Sequence, residues 1–201
     1  MNVLKELSLI GIVPVIKIDR VEDALPLAKA LNDGGLPCAE ITFRTACAKE
    51  AIKLAKETFP DMLVGAGTII NETQAKEAIA AGAEFIVSPG FDLEPCNYLK
   101  EVNVPYIPGA VTPTEIMNCI ANGIEIIKFF PASCYGGVKT LKALGGPFKN
   151  VKFLPTGGID ENNIMEYLSL DSVVAIGGSF MMKGDIKENT KRVLDLINKG
   201  E

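Results

Sequence analysis

The stretch Gly123-Ile124-Glu125-Ile126-Ile127-Lys128-Phe129-Phe130-Pro131 is short, β-branched and aromatic, and a proline ends it. That composition predicts a buried strand. Strand side chains alternate, so Lys128, near the carboxyl end, shares a face with Ile124 and Ile126. Burial among such neighbours disfavours a charged ammonium and favours a neutral amine, which can attack a carbonyl. The alternative is a lysine whose stem packs while its head reaches water at the strand end.

Outward from this stretch the same pattern repeats. Strands are expected at 12–18, 38–43, 62–66, 84–87 and 105–107, then around Lys128, then at 151–154 and 173–176. Helical spacing follows each of them, at 21–31, 46–58, 73–81, 92–102, 114–121, 138–144, 160–168 and 185–198. The first ten residues read as a short amphipathic helix, with Asn71 and Gly82 as caps of a later one. Eight strand–helix units predict a (β/α)8 TIM barrel with a short N-terminal helix, a single domain over 1–201. An open doubly wound sheet shares the alternation, but no G-x-G-x-x-G follows the first strand.

Composition narrows the function. The chain has 201 residues, a net charge of -5 and no basic run, which argues against nucleic acid as a partner. The apolar run from Leu9 to Ile16 is too short for a bilayer and contains Pro14, so no membrane association is expected. Five cysteines without a C-x-x-C pair suit a reduced, cytoplasmic compartment. There is no histidine, which removes Ser-His-Asp and Cys-His catalysis and histidine metal sites. Proton transfer falls to a carboxylate, lysine, tyrosine, cysteine or water.

Barrels carry function at the carboxyl ends of their strands. The second strand end places Glu40, Thr42 and Arg44 on one face, inward if Ile41 and Phe43 pack against helices. A carboxylate and a guanidinium inside a barrel are costly unless used or paired, and a structural Glu40–Arg44 ion pair is the alternative. The third strand ends Gly65-Ala66-Gly67-Thr68, a site of close ligand approach with a hydroxyl, or a plain turn with a capping threonine. The seventh ends Pro155-Thr156-Gly157-Gly158-Ile159 and the eighth Gly177-Gly178-Ser179. Barrels commonly bind phosphate at these two loops with backbone N–H groups at a helix N-terminus; tight turns are the alternative. Lys17 reads as a rim residue, and Cys134 and Tyr135 as loop residues. A lysine, a carboxylate, an arginine and a phosphate cup together describe Schiff-base aldol chemistry on a phosphorylated keto acid.

Glu40-Ile-Thr-Phe-Arg-Thr45, Gly65-Ala-Gly-Thr68, Val87-Ser-Pro-Gly90, Ile127-Lys-Phe-Phe-Pro-Ala132, Pro155-Thr-Gly-Gly-Ile159 and Gly177-Gly-Ser179 run in order along nearly the whole chain. In these motifs the sequence resembles the 2-keto-3-deoxy-6-phosphogluconate (KDPG) aldolase family, also called 4-hydroxy-2-oxoglutarate (KHG) aldolases. The resemblance implies a class I aldolase with no cofactor and no metal. Its substrate would be cleaved to pyruvate and glyceraldehyde 3-phosphate, a step of the Entner–Doudoroff pathway. It implies Lys128 as the Schiff-base lysine and Glu40 as proton acceptor. Arg44 and Thr68 would bind the pyruvate-derived part, and Gly157, Gly158, Gly178 and Ser179 the phosphate. It also implies a homotrimer. Phe180 stands where some relatives carry tryptophan, beside the phosphate loop. Galactonate-specific relatives differ at the segment Phe43-Arg44-Thr45, which favours the gluconate substrate. Two rivals lack a use for part of the set. A pyridoxal-phosphate carrier would not need Glu40 and Arg44, and a phosphosugar isomerase or epimerase would not need Lys128.

Overall fold

Short β-branched runs broken by glycine and by capped helices give the computed structural model, which describes residues 3–199, its alternating architecture. The strands are β1 (Ile12–Ile16), β2 (Cys38–Thr42), β3 (Leu63–Gly67), β4 (Phe85–Val87), β5 (Tyr106–Ile107), β6 (Ile126–Phe129), β7 (Lys152–Pro155) and β8 (Ile176–Gly178). Helix α1 (Val3–Ile10) precedes them; Met1 and Asn2 of the expected helix lie outside the described residues. The others are α2 (Ala24–Asp33), α3 (Ala48–Thr58), α4 (Glu72–Ala80), α5 (Leu93–Glu101), α6 (Pro113–Ala121), α7 (Gly137–Leu144), α8 (Ile164–Leu168) and α9 (Ile186–Asn198).

The strands pair in parallel in the order β5-β4-β3-β2-β1-β8, with β6 and β7 forming a second ladder. Single bridges join the two pieces into a ring, Gly109 to Lys128 on one side and Phe153 to Val173 and Thr156 to Gly177 on the other. The (β/α)8 barrel expected from the alternation is therefore the architecture found. Outward-facing Phe129 and Phe153 pack edge to face at 6.4 Å, and each fully buried side chain of this kind contributes about 1.5–3 kcal/mol.

Local chemistry sets several boundaries. Asn71 caps α4 by accepting from the Gln74 N–H. Gly82, expected as its cap, lies one residue beyond the cap Ala81, at a φ of +102°. Thr112 and Glu115 form a capping box at α6. Strand β1 stops at Ile16 rather than 18, helix α2 runs from Ala24 to Asp33 rather than over 21–31, and three further elements differ for reasons seen in their contacts. Strand β6 is shorter than 123–131 because Gly123, at φ +69°, still belongs to the turn ending α6, and Ile124 N–H bonds back to the Cys119 carbonyl. Helix α8 starts at Ile164 rather than 160, because the Asp160 and Asn163 side chains bond nearby N–H groups and hold a turn there. Strand β8 lies at Ile176–Gly178 rather than 173–176: its ladder to β1 begins at Ile12–Ile176, and Gly177 and Gly178 become strand instead of turn.

Candidate active site

Strands β2 and β6 stand four apart in the ring of eight, so their inward side chains face each other across the interior. Glu40, paired in register with Val15 and Gly65, comes from one side, and Lys128, paired with Leu154, from the other. Lys128 Nζ donates to Glu40 Oε1 at 3.1 Å, with the side chains 7% and 1% exposed. The desolvation cost is several kcal/mol per ion. Attraction at 3.1 Å in an effective dielectric near 20 returns about 5 kcal/mol. The return does not exceed the cost of desolvating both ions, so net stability does not account for the pair. The expectation of an inward lysine is met, and the ring of Phe130 lies 5.3 Å from Nζ.

Gly67 makes room for this carboxylate: a Cβ there would collide with Glu40 Oε1. The alternative reading, a structural ion pair between Glu40 and Arg44, is not what forms. Arg44 lies two residues beyond β2, exposed, and its Nε donates to Thr42 Oγ1 at 3.1 Å. Thr42 Oγ1 in turn donates to the Ile16 carbonyl at 3.0 Å. Thr68 sits at φ +59°, a left-handed conformation that is an outlier for a β-branched residue. Such strain costs about 1–3 kcal/mol and clusters at ligand sites.

A cavity of about 140 Å³ brings Glu40, Thr42, Arg44, Thr68, Lys128 and Thr156 together, closed by Val15, Pro89 and Phe130. Thr156 is the member to which sequence reasoning gave no role. Its side chain is buried, and its hydroxyl is the one buried side-chain polar atom without a partner among the described residues. Gly177 is glycine because a Cβ there would strike that hydroxyl. The available signal was its place in Pro155-Thr156-Gly157-Gly158, one residue past the end of β7. Pro89 and Phe130 also lay within quoted motifs without a role. The loop carrying Pro89 is fastened by Ser88, whose Oγ meets the Tyr106 hydroxyl at 2.8 Å. Burial pushes the Tyr106 phenol up to about 12, partly opposed by that hydrogen bond.

The glycine loops adjoin this cavity through Thr156. Gly157 and Gly158 take φ values of +98° and +74°, and a Cβ on Gly158 would strike the Ser133 side chain. The loop is laced to the end of β6 by Ala132 N–H to Thr156 O at 2.8 Å and Ser133 N–H to Gly157 O at 3.1 Å. Gly178 is buried in β8, where the Phe180 ring fills the space a Cβ would take, and Ser179 is exposed beside it. The helix N-terminus expected at 160, just after the glycine loop, is displaced, since α8 begins only at Ile164. Lys17 pairs with Asp19 at the rim and does not line the cavity. Cys134 and Tyr135 are exposed in a 3-10 turn, as loop residues should be.

A family model described as "KDPG and KHG aldolase" matches residues 2–196. The chain belongs to the KDPG and KHG aldolase family. It is 45% identical over 181 residues to the 2-dehydro-3-deoxy-phosphogluconate aldolase of Treponema pallidum, covering 90% of this chain and 86% of that one. It is 45% identical to the KHG/KDPG aldolase of Escherichia coli K12, over 88% of this chain and 83% of the relative. Among solved structures, KDPG aldolase from Legionella pneumophila superposes with a TM-score of 0.85 at 42% identity, over 92% and 91% of the two chains. That structure holds pyruvate captured as a covalent carbinolamine intermediate. The chain's relatives are aldolases, carbon–carbon lyases of the class I type.

Proposed function

We propose that this chain is a class I aldolase that cleaves 2-keto-3-deoxy-6-phosphogluconate to pyruvate and glyceraldehyde 3-phosphate, with Lys128 as the Schiff-base lysine. The carrying observation is the buried contact of Lys128 with Glu40 inside a cavity that also holds Arg44 and Thr68. The amine adds to the C2 ketone, and loss of water gives the protonated imine. Glu40 removes the C4 hydroxyl proton, the C3–C4 bond breaks, and its electrons pass to the imine nitrogen as the enamine. Glyceraldehyde 3-phosphate leaves. Protonation of C3 and hydrolysis then release pyruvate and restore the amine. Arg44 offers a forked pair of donors for the keto-acid carboxylate, and Thr68 a hydroxyl. Gly157, Gly158, Gly178 and Ser179 line the route for the phosphate. The chemistry calls for no metal, and activity should survive EDTA unchanged.

The KHG/KDPG aldolase of Escherichia coli supports a second, unphosphorylated substrate, 4-hydroxy-2-oxoglutarate, cleaved to pyruvate and glyoxylate. The galactonate alternative has weaker support, since the KDPGal structure is only 20% identical. A pyridoxal-phosphate carrier leaves the Glu40 contact without a use. We also propose one catalytic domain over 1–201, a cytoplasmic location and a homotrimer. Free cysteines support the second, and exposed Leu93, Met117 and Ile120 on α5 and α6 support association of copies. No helix among the described residues is long and apolar enough to cross a membrane.

The deciding experiment is borohydride reduction in the presence of pyruvate, followed by peptide mapping. One reduced pyruvate on the peptide holding Lys128, with loss of activity, is expected. Label on Lys17 or Lys139, or none, refutes the assignment.

A further inference from the structure

The β1–β2 ladder ends early. Its last register pair is Ile16 with Ile41, yet the arginine lies beyond, at position 44. Past that point side chains continue the tie. Thr42 Oγ1 donates to the Ile16 carbonyl at 3.0 Å. Thr45 Oγ1 donates to the Ile18 carbonyl at 2.6 Å, and Cys47 Sγ donates to the same oxygen at 3.0 Å. On the other flank the Phe43 N–H holds the Gly67 carbonyl at 2.7 Å. Arg44 is thus the exposed crest of a loop fastened before and after itself.

Thr42 does more than fasten. A threonine hydroxyl has one proton and two lone pairs. Its proton is committed to Ile16, which turns a lone pair toward Arg44 Nε at 3.1 Å. With Nε held, the guanidinium plane is fixed and its terminal nitrogens stay available to a ligand. A free arginine loses rotamer freedom when it binds, and a held one loses less, which is preorganisation. We propose that Thr42 is a positioning residue for Arg44, which relays the end of β1 to the guanidinium that grips the carboxylate of the keto-acid substrate. This rests on the aldolase reading above. Thr45 and Cys47 secure the far side of the same loop.

The test is the half-saturating pyruvate concentration for borohydride inactivation, together with kcat and KM for cleavage. Thr42→Val keeps the shape and removes both hydrogen bonds. It should raise half-saturation and KM about tenfold, the scale of one hydrogen bond to a charged group, and leave kcat within about threefold. Thr42→Ser should restore most of the affinity. In an Arg44→Ala background, Thr42→Val should add nothing, because the relay has lost its end point. A folded valine variant with wild-type half-saturation, or one whose loss persists in full without Arg44, overturns the relay. Thr42 is buried, so Thr45→Val at a half-buried position is the second probe, with about a threefold rise expected from one lost neutral hydrogen bond. Should Thr42→Val not fold, a wild-type value for Thr45→Val overturns the inference. Wild-type protein that pyruvate does not label at all overturns the aldolase reading itself, a result distinct from either.

Discussion

Gly67→Ala should disable the enzyme through one methyl group that touches no substrate. The backbone accepts alanine there, since Gly67 is not among the positive-φ positions. The obstacle is Glu40. The new Cβ would lie 2.6 Å from Glu40 Cδ and 2.7 Å from Cγ, whereas carbon atoms rest at about 3.5 Å or more. The carboxylate must therefore shift by at least about 0.9 Å, which disturbs a Lys128 contact that now stands at 3.1 Å. Misplacement of a catalytic group by about 1 Å costs about 10²-fold, and loss of a general base about 10²–10⁴-fold. We expect kcat to fall about a hundredfold. Overpacking should cost about 1–3 kcal/mol, or roughly 2–4 °C in Tm for each kcal/mol. Gly65→Ala is the control. It sits two residues earlier on β3 and collides with the Phe85 ring instead of the carboxylate. It should lower Tm at least as much and leave kcat within about fivefold, since general-base losses begin near 10². Steady-state kinetics and thermal unfolding on both variants decide the matter. A Gly67→Ala enzyme within about threefold of wild-type kcat, far short of that loss, or equal kcat losses in both variants, would refute the reasoning.

Four other outcomes are expected. Lys128→Arg should abolish cleavage and pyruvate labelling despite keeping the charge, because a guanidinium stays protonated and forms no imine. Thr156→Val removes the orphaned hydroxyl and should raise Tm by about 2–4 °C, the equivalent of about 1 kcal/mol; a fall in Tm would mean that the hydroxyl is satisfied. Gly158→Ala, at φ +74° and against Ser133, should weaken the phosphorylated substrate strongly and 4-hydroxy-2-oxoglutarate little, and equal losses in a KM comparison would assign the glycine to folding. The Tyr106 phenol, raised to about 12 by burial from an ordinary value near 10, contributes stability that is full below pH 10 and is lost as pH rises toward 12. Denaturant titrations across that range should show the decline in wild type and a shallower one in Tyr106→Phe.

The sequence by itself determined the period of the chain. Strand runs such as Ile12–Ile16 and Cys38–Thr42 alternate with helices whose caps are written locally, as at Asn71. Eight such units have one common closed solution, so the barrel was legible before any contact was known. The inward sides of Glu40 and Lys128 followed from period-two alternation, and the glycine pairs marked where loops must turn. Local patterning could not decide partners. Glu40 lies four residues from Arg44 but pairs with Lys128, 88 residues away, because closure of the ring sets β2 opposite β6. Strand ends were likewise decided by neighbours. Val173 makes only a single bridge to Phe153, while Gly177 and Gly178 enter β8 because β1 offers them a ladder. The solitary hydroxyl of Thr156 became visible only when the fold enclosed it without an acceptor. Sequence periodicity fixes which way a side chain points, but what it meets depends on strands that are distant in sequence and brought together only when the ring closes.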